Sequence, residues 1–284
     1  MMSKLFKIKP VGNPQFSLEL NGSFNALLQT GSLEEIHNSS ILHGKSLVAC
    51  RDVLQIAEVT SKEQSEERVI EWKGDFSRVH GIGRGWKQGR MIIAGDVGDC
   101  LGERMSGGEI FVTGDAGDAA GSSMSGGRIV IEGNAAARVG SPAPGELRGM
   151  TGGEIFILGN AGDSLGMRMR RGTIAVQKNV GENVGIEMLA GSILLFGNHQ
   201  GQPGLGMKRG SIILLQDNQT DQSLSYQSDY AVTYQPVFLR ALLKHLEQTG
   251  YFQIEQSLYS DWYDRYSCDM AETARGEILF HSTN

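Results

Sequence analysis

Residues 95–113 read GDVGDCLGERMSGGEIFVT, and residues 114–132 follow at once with GDAGDAAGSSMSGGRIVIE. Tandem self-similarity of this kind constrains a chain more than its composition does, because equivalent residues must occupy equivalent environments. The line recurs from Gly133, with seven extra residues at 141–147, and then from Gly159, Lys178 and Gly197. A degenerate copy precedes them from Phe76, so seven copies run from residue 76 to 215.

Particular positions repeat in the six clear copies. The second is Asp96, Asp115, Asn134, Asn160, Asn179 and Asn198; the eighth is Gly102, Gly121, Gly140, Gly166, Gly185 and Gly204. The eleventh is Met105, Met124, Met150, Met169, Met188 and Met207, and the sixteenth is Ile110, Ile129, Ile155, Ile174, Ile193 and Ile212. The copies are too rich in glycine for a helical repeat. Each instead holds one short strand such as GEIFVT between glycine-punctuated turns. One strand per repeat, stacked on its equivalent, predicts a parallel β-solenoid with neighbouring strands about 4.8 Å apart.

The methionine ladder then reads as core, since no Cys or His recurs beside it to complete a soft-metal site. The Asp/Asn ladder, with Asp99, Asp118 and Asp163 three positions on, raises a calcium site, but the nine-residue calcium-solenoid line is absent. Asx residues capping their own turns are the expectation. The fifteenth position alternates Arg90, Glu109, Arg128 and Glu154, which predicts a solvated ion-pair ladder. The seventeenth should point outward, yet it holds Ile92, Phe111, Val130, Phe156, Ala175, Leu194 and Ile213. Apolar residues on both faces of a strand mean that both faces are covered.

The flanks divide the chain into 1–75, 76–215 and 216–284. Residues 1–75 contain the strand-like runs FSLEL and KSLVACRDVLQI, with Asn21-Gly22 as a turn signal, and are expected to cap the first repeat with β structure. Residues 216–232 read as a linker. PVFLRALLKHLEQTG (236–250) is a helix with an apolar face wide enough to be buried on most sides. All seven tyrosines lie in the last 59 residues, beside Trp262, and residues 216–284 carry ten acidic against four basic side chains. The outward column, the helix and this aromatic acidic tail together predict a covering partner. The competing account is cover by the chain's own helix and aromatics, with the N-terminal segment over the length that a thirteen-residue helix of about 20 Å cannot reach.

Chemistry is sparse. The six histidines are scattered, and there is no Gly-x-Ser-x-Gly elbow and no Walker loop. Asp99, Asp118 and Arg104 are the candidates a β-helix polysaccharide lyase would require. One basic feature stands out: MRMRRG (167–172) and MKRG (207–210) place Arg168, Arg170, Arg171, Lys208 and Arg209 at similar turn positions. They form one basic edge, either solvated or anion-binding. A net charge of −6 argues against a nucleic-acid binder that relies on bulk positive charge. Cys50, Cys100 and Cys268 fit neither a disulfide framework nor a metal motif, and no stretch of about 18 apolar residues occurs. A cytoplasmic protein that crosses no membrane is the expectation.

The Gly-x-x-Gly-x-x-x-Gly line (Gly95, Gly98, Gly102; Gly114, Gly117, Gly121; Gly159, Gly162, Gly166) resembles the GXGXG domain. That domain is shared by the glutamate synthase large subunit and by the C subunit of formylmethanofuran dehydrogenase. Ala136, Lys178 and Gln200 depart from it. The modest N-terminal flank and the tail ending in ARGEILF look like the C subunit of the formyltransferase/hydrolase complex. The resemblance implies an all-β, right-handed parallel β-helix. It also implies a noncatalytic subunit in one-carbon metabolism, within a complex that handles formyl groups on methanofuran and tetrahydromethanopterin. Catalytic residues, metals and resident cofactors would belong to the other subunits, and the basic edge would meet the acidic tail of a methanofuran-type cofactor. A glutamate synthase-type spacer and a β-helix polysaccharide lyase stay open beside it.

Overall fold

The computed structural model describes residues 4–12, 17–60, 68–216, 224, 228–268 and 275–282. Strand β1 (Lys4–Pro10) and the short β2 (Leu18–Glu19) come first, and the chain then departs from the expected β cap. Asn21-Gly22 is not a hairpin turn. Asn21 Oδ1 accepts from the Phe24 N–H at 2.8 Å and caps helix α1 (Gly22–Thr30), a role that suits a short side-chain carbonyl. Ser32 and Glu35 form a reciprocal capping box that starts α2 (Leu33–Asn38). The run KSLVACRDVLQI is also broken: β3 (Ser40–His43) pairs with β4 (Ser46–Ala49), a helical turn α3 (Cys50–Val53) intervenes, and β5 (Leu54–Thr60) follows. The N-terminal segment is therefore mixed α/β, with Phe24, Leu28 and Ile36 buried from its helices.

After β6 (Val69–Lys73) and β7 (Val79–His80), the repeats supply β8 (Arg90–Ala94), β9 (Ser106–Val112), β10 (Gly126–Ile131), β11 (Thr151–Ile157), β12 (Arg171–Val176), β13 (Ser192–Leu195) and β14 (Arg209–Leu214). These strands stack parallel and in repeat register. Ile110 stands beside Ile129, then Ile155, Ile174, Ile193 and Ile212 in succession. A second parallel contact per repeat joins Val97, Ala116, Ala135, Ala161, Val180 and His199. Phe76 stands in that row beside Val97, which aligns Gly74-Asp75-Phe76 with Gly95-Asp96-Val97 and begins the degenerate copy at Gly74.

The tail contributes β15 (Asp229–Tyr234), α4 (Val237–Gln248), a 3-10 turn (Gln256–Tyr259), β16 (Trp262–Cys268) and β17 (Arg275–Ser282). β17 extends the parallel stack, with Ile278 beside Ile212, and β6 and β1 extend it at the other end. The protein is thus mostly β. One mixed 13-stranded sheet runs β15-β16-β17-β14-β13-β12-β11-β10-β9-β8-β6-β1-β5, and a 4-stranded sheet runs β4-β3-β2-β7.

Met105, Met124, Met150, Met169, Met188 and Met207 are all fully buried, and Trp86 fills the equivalent place in the degenerate copy. The eighth-position glycines are needed for two reasons. Gly102, Gly121, Gly166 and Gly185 have φ of +62 to +68°, and a Cβ on any of them would lie 2.4–2.7 Å from Cδ1 of the next repeat's isoleucine. The Asp/Asn ladder works between repeats rather than within a turn. Asp96, Asp115, Asn134, Asn160 and Asn179 each accept, through Oδ1, the N–H of the equivalent residue in the following repeat at 2.6–3.1 Å. Asp99 does the same for Asp118, and Asp163 for Glu182.

The outward column is covered by the chain itself from β10 onward. Val130, Phe156, Ala175, Leu194, Ile213 and Leu279 are buried under Leu239, Leu243 and Leu246 of α4, with Phe252, Ile254 and Leu258 beside them. Phe252 meets Phe156 edge-on at 5.5 Å and stacks on Phe196 at 5.2 Å. α4 accordingly buries one stripe at i, i+4 and i+7 instead of most of its surface, and Val237 and Phe238 stay exposed. The cover ends where Tyr251 stacks on Phe111, leaving Phe111 and Ile92 half-buried. The ion-pair ladder forms (Arg90–Glu109 at 3.1 Å, Arg128–Glu154 at 2.7 Å), but α4 reaches it through His245, whose Nε2 lies 2.5 Å from Glu154. It is therefore partly covered and not simply a solvated face. Among the described residues no helix is long and apolar enough to cross a membrane.

Candidate functional site: a basic edge beside an inserted loop

The strand starts of later repeats share the tetrapeptide Arg-Gly-x-Ile: Arg171-Gly172-Thr173-Ile174, Arg209-Gly210-Ser211-Ile212 and Arg275-Gly276-Glu277-Ile278. Register places Arg209 directly beside Arg275. The pairing of Thr173 with Ser192 and Ser192 with Ser211 puts Ala190 between Arg171 and Arg209. Adjacent strands lie about 4.8 Å apart, so Arg171 and Arg209 stand about 10 Å apart along one edge. Arg170 and Lys208 precede them by one residue, and all four of these side chains are exposed. Arg275 falls outside the sequence candidates. Its signal is the third Arg-Gly-x-Ile, hidden because more than 60 residues of tail separate it from the second.

Arg168 differs from the rest. It occupies a left-handed turn position (φ +51°), and its guanidinium pairs with Glu187 of the next repeat. Among the described residues, Arg170, Arg171, Arg209 and Arg275 make no ion pair of that kind, so Arg209 and Arg275 stack as like charges on adjacent strands.

The insertion 141–147 makes a cleft of about 630 Å³ on the same edge, lined by Arg104, Ser123, Ser125, Glu146, Arg148 and Thr151. Thr151 is the register partner of Arg171, and the Gly149 N–H donates to the Arg168 carbonyl at 3.0 Å, so the cleft opens onto the basic edge. Arg104 holds the loop through Glu146 and the Pro144 carbonyl, both at 3.4 Å, and also pairs with buried Glu103. Glu103 pairs in turn with Arg84, which reaches Glu19 at 2.7 Å. Burial works against the Arg84 charge, but the carboxylates of Glu103 and Glu19 outweigh it and raise its pKa.

The acidic candidates do not converge on Arg104. Asp99 and Asp118 spend their Oδ1 atoms on backbone N–H groups of the next repeat, and Asp118 pairs with Arg138 at 2.8 Å. Among the described residues no three His, Cys, Asp or Glu side chains cluster as a metal site.

A stack of glycine-punctuated repeats with this register defines a family. The GXGXG motif family matches residues 79–265, and the chain belongs to it. It is similar to the C subunit of molybdenum-containing formylmethanofuran dehydrogenase 1 from Methanothermobacter wolfeii and from Methanothermobacter marburgensis. In each case it is 39% identical over 97 residues, which is 34% of this chain and 23% of the relative. The match thus spans about a quarter of the length of these curated relatives. It is also similar to a chain in the X-ray crystal structure of the formyltransferase/hydrolase complex (FhcABCD) from Methylorubrum extorquens in complex with methylofuran. There the TM-score is 0.83 at 29% identity, covering 98% of this chain and 100% of that one.

Proposed function

We propose that this chain is the noncatalytic C subunit of a formyltransferase/hydrolase-type complex that processes formyl groups on a methanofuran-type cofactor and tetrahydromethanopterin in the cytoplasm. The observation that carries this reading is the end-to-end likeness to a chain of the FhcABCD structure, over 98% of this chain and 100% of that one. In this reading the repeats wind as a right-handed parallel β-helix, flanked by the segments 1–75 and 216–284, and the formyl chemistry takes place on partner subunits. The architecture supports a scaffold: the repeated polar side chains are occupied in holding one repeat to the next.

The basic edge has a part in the same reading. Arg170, Arg171, Lys208 and Arg209, extended by Arg275, guide the acidic tail of the cofactor by charge, whereas Arg168 is occupied by Glu187. Two arginines stacked on adjacent strands repel one another until an anion lies between them, which suits a chain of carboxylates. The test is purification of the native complex with its subunits identified by mass spectrometry, together with an assay of the isolated chain. Recovery with formyltransferase and hydrolase subunits, and an inactive isolated chain, is expected. Turnover of a formylated substrate by the chain alone would overturn the scaffold reading, and co-purification with an amidotransferase would favour a glutamate synthase-type spacer.

A further inference from the structure

Among the described residues β15 has one sheet neighbour, β16, so one row of its backbone N–H and C=O groups faces away from the 13-stranded sheet. Such an edge invites pairing, and proteins usually blunt it with lysine, proline or very short strands. β15 reads Asp-Tyr-Ala-Val-Thr-Tyr over six residues with no lysine or proline, and of the devices that blunt edges it carries a single bulge. Its one irregularity is Ala231, which has no register partner. That bulge shifts the alternation, so Tyr230 stands with Tyr266 on one face and Val232 with Arg265 on the other. Tyr230 is 57% exposed although its ring contacts Tyr266 edge-on at 5.7 Å, and Val232 is 44% exposed. The edge thus offers an apolar group on each face, with a regular stretch at Val232, Thr233 and Tyr234 between the bulge and α4.

The neighbourhood has the composition of an interface. Trp262, 46% exposed, alternates onto the Tyr230–Tyr266 face of β16. Val237 and Phe238 are exposed at the start of α4, which Gln235 ties to the turn before β16 by donating to the Ser260 carbonyl. Tyrosine, tryptophan and phenylalanine are the residues enriched where proteins meet. Arg265, beside Val232, is paired with Glu277 at 2.8 Å, and the other charges of the β15–β16 pair are acidic: Asp229 is exposed at the head of β15, and Asp264 accepts from Thr233.

We infer that the outer edge of β15 is a strand-addition site, which takes an extended segment from another subunit of the assembly. Backbone groups in a row are satisfied by another extended backbone, and this selects a strand over a helix or a loop. Apolar side chains of the added strand lie against Tyr230 and Trp262 on one face and against Val232 on the other. Basic residues at its ends answer Asp229 and Asp264. The inference rests on the reading that this chain is a complex subunit.

Hydrogen–deuterium exchange on the peptide spanning 229–234 tests it, in the isolated chain and in the complex purified from cells. Exchange is expected to slow at least about tenfold on assembly, because strand addition protects outward-facing amides. A second arm introduces Tyr230→Lys with Val232→Lys, the charges that blunt natural edges. The variant chain is expected to keep its melting temperature while native mass spectrometry shows one partner lost. An intact complex in which 229–234 exchanges as fast as in the free chain overturns the strand-addition site and leaves the subunit reading standing. A native chain recovered without any partner overturns both.

Discussion

The Cε methyl of Met124 lies 2.7 Å from the point a Cβ would occupy on Gly153 of the next repeat, where φ is +87°. The same contact joins Met105 to Gly127, Met150 to Gly172, Met169 to Gly191 and Met188 to Gly210. The methionine ladder and this fourteenth-position glycine ladder are two halves of one packing device: a flexible thioether fills the space that a missing side chain leaves open. Gly153→Ala adds a strained backbone and also meets the Gly127 carbonyl at 2.7 Å. A loss of about 1–3 kcal/mol is expected in thermal or urea unfolding. Met124→Asp should cost several kcal/mol, on the order of a core disruption. An unchanged melting temperature in both variants would contradict the packing.

Phe156 and Phe111 occupy the same column of the sheet but have different fates. Phe156 is fully buried under Phe252, while Phe111, one repeat beyond Val130, is half-buried at the edge of the cover under Tyr251. Phe156→Ala is expected to destabilise the chain by about 3–5 kcal/mol, and Phe111→Ala by clearly less. Equal losses in denaturant unfolding would show that the tail does not protect the column as described.

The repeats were legible because one line written seven times leaves little choice of register, and the buried methionines follow from that line. The outward apolar column was also legible as a covered surface, but not what covers it. A helix burying Leu239, Leu243 and Leu246 against its own sheet looks the same in sequence as one reserved for a partner. The N-terminal helices were missed because Asn21-Gly22 reads equally as a hairpin turn and as an N-cap followed by a helix start. The parallel strand β17 was missed because its 278–280 apolar run stands alone, outside the tandem copies.

Asn25 shows what that omission concealed. The residue is fully buried in α1; its Nδ2 donates to the Gly81 carbonyl at 2.9 Å, and its Oδ1 accepts the Gly83 N–H at 2.8 Å. Its Oδ1 thus stands in for the carbonyl of a preceding repeat, as the Ile82 carbonyl does for the Gly102 N–H and the Leu101 carbonyl for the Gly121 N–H, and its Nδ2 adds a second contact to the same turn. Asn25→Leu leaves the buried Gly83 N–H without its partner, at a cost of about 1–3 kcal/mol, while the Gly81 carbonyl keeps the Arg84 N–H at 3.1 Å. Calorimetry should show the loss, and hydrogen exchange should place it first at residues 79–86. A variant as stable as the parent would remove Asn25 from this role.

The three thiols should differ in reactivity. Burial pushes the Cys50 thiol up to about 12, and Cys268 is buried as well. Cys100 is half-buried; burial and then the Glu103 carboxylate raise its pKa, against the pull of Arg84. Because thiolate is the reactive form, iodoacetamide at pH 8 is expected to leave Cys50 and Cys268 unmodified in the native chain and to label Cys100 slowly. Unfolding in guanidinium should expose all three. Rapid native labelling of Cys50, read by intact mass, would contradict its burial.

The basic edge makes a prediction that separates its arginines. Arg168 is neutralised by Glu187, whereas Arg209 and Arg275 stand side by side on adjacent strands. With an oligoglutamate as probe and the intact complex as receptor, Arg209→Ala with Arg275→Ala should weaken binding about tenfold or more, the loss expected when charge-assisted hydrogen bonds are removed. Arg168→Ala should change little, because the contact it loses is an exposed intrachain pair. The effect of the double variant should shrink as salt rises from about 0.05 to about 0.5 M, since screening shortens the reach of the edge. Equal effects from Arg168→Ala and the double variant, or binding indifferent to salt, would show that the edge is solvated surface and that the cofactor tail is held elsewhere in the complex.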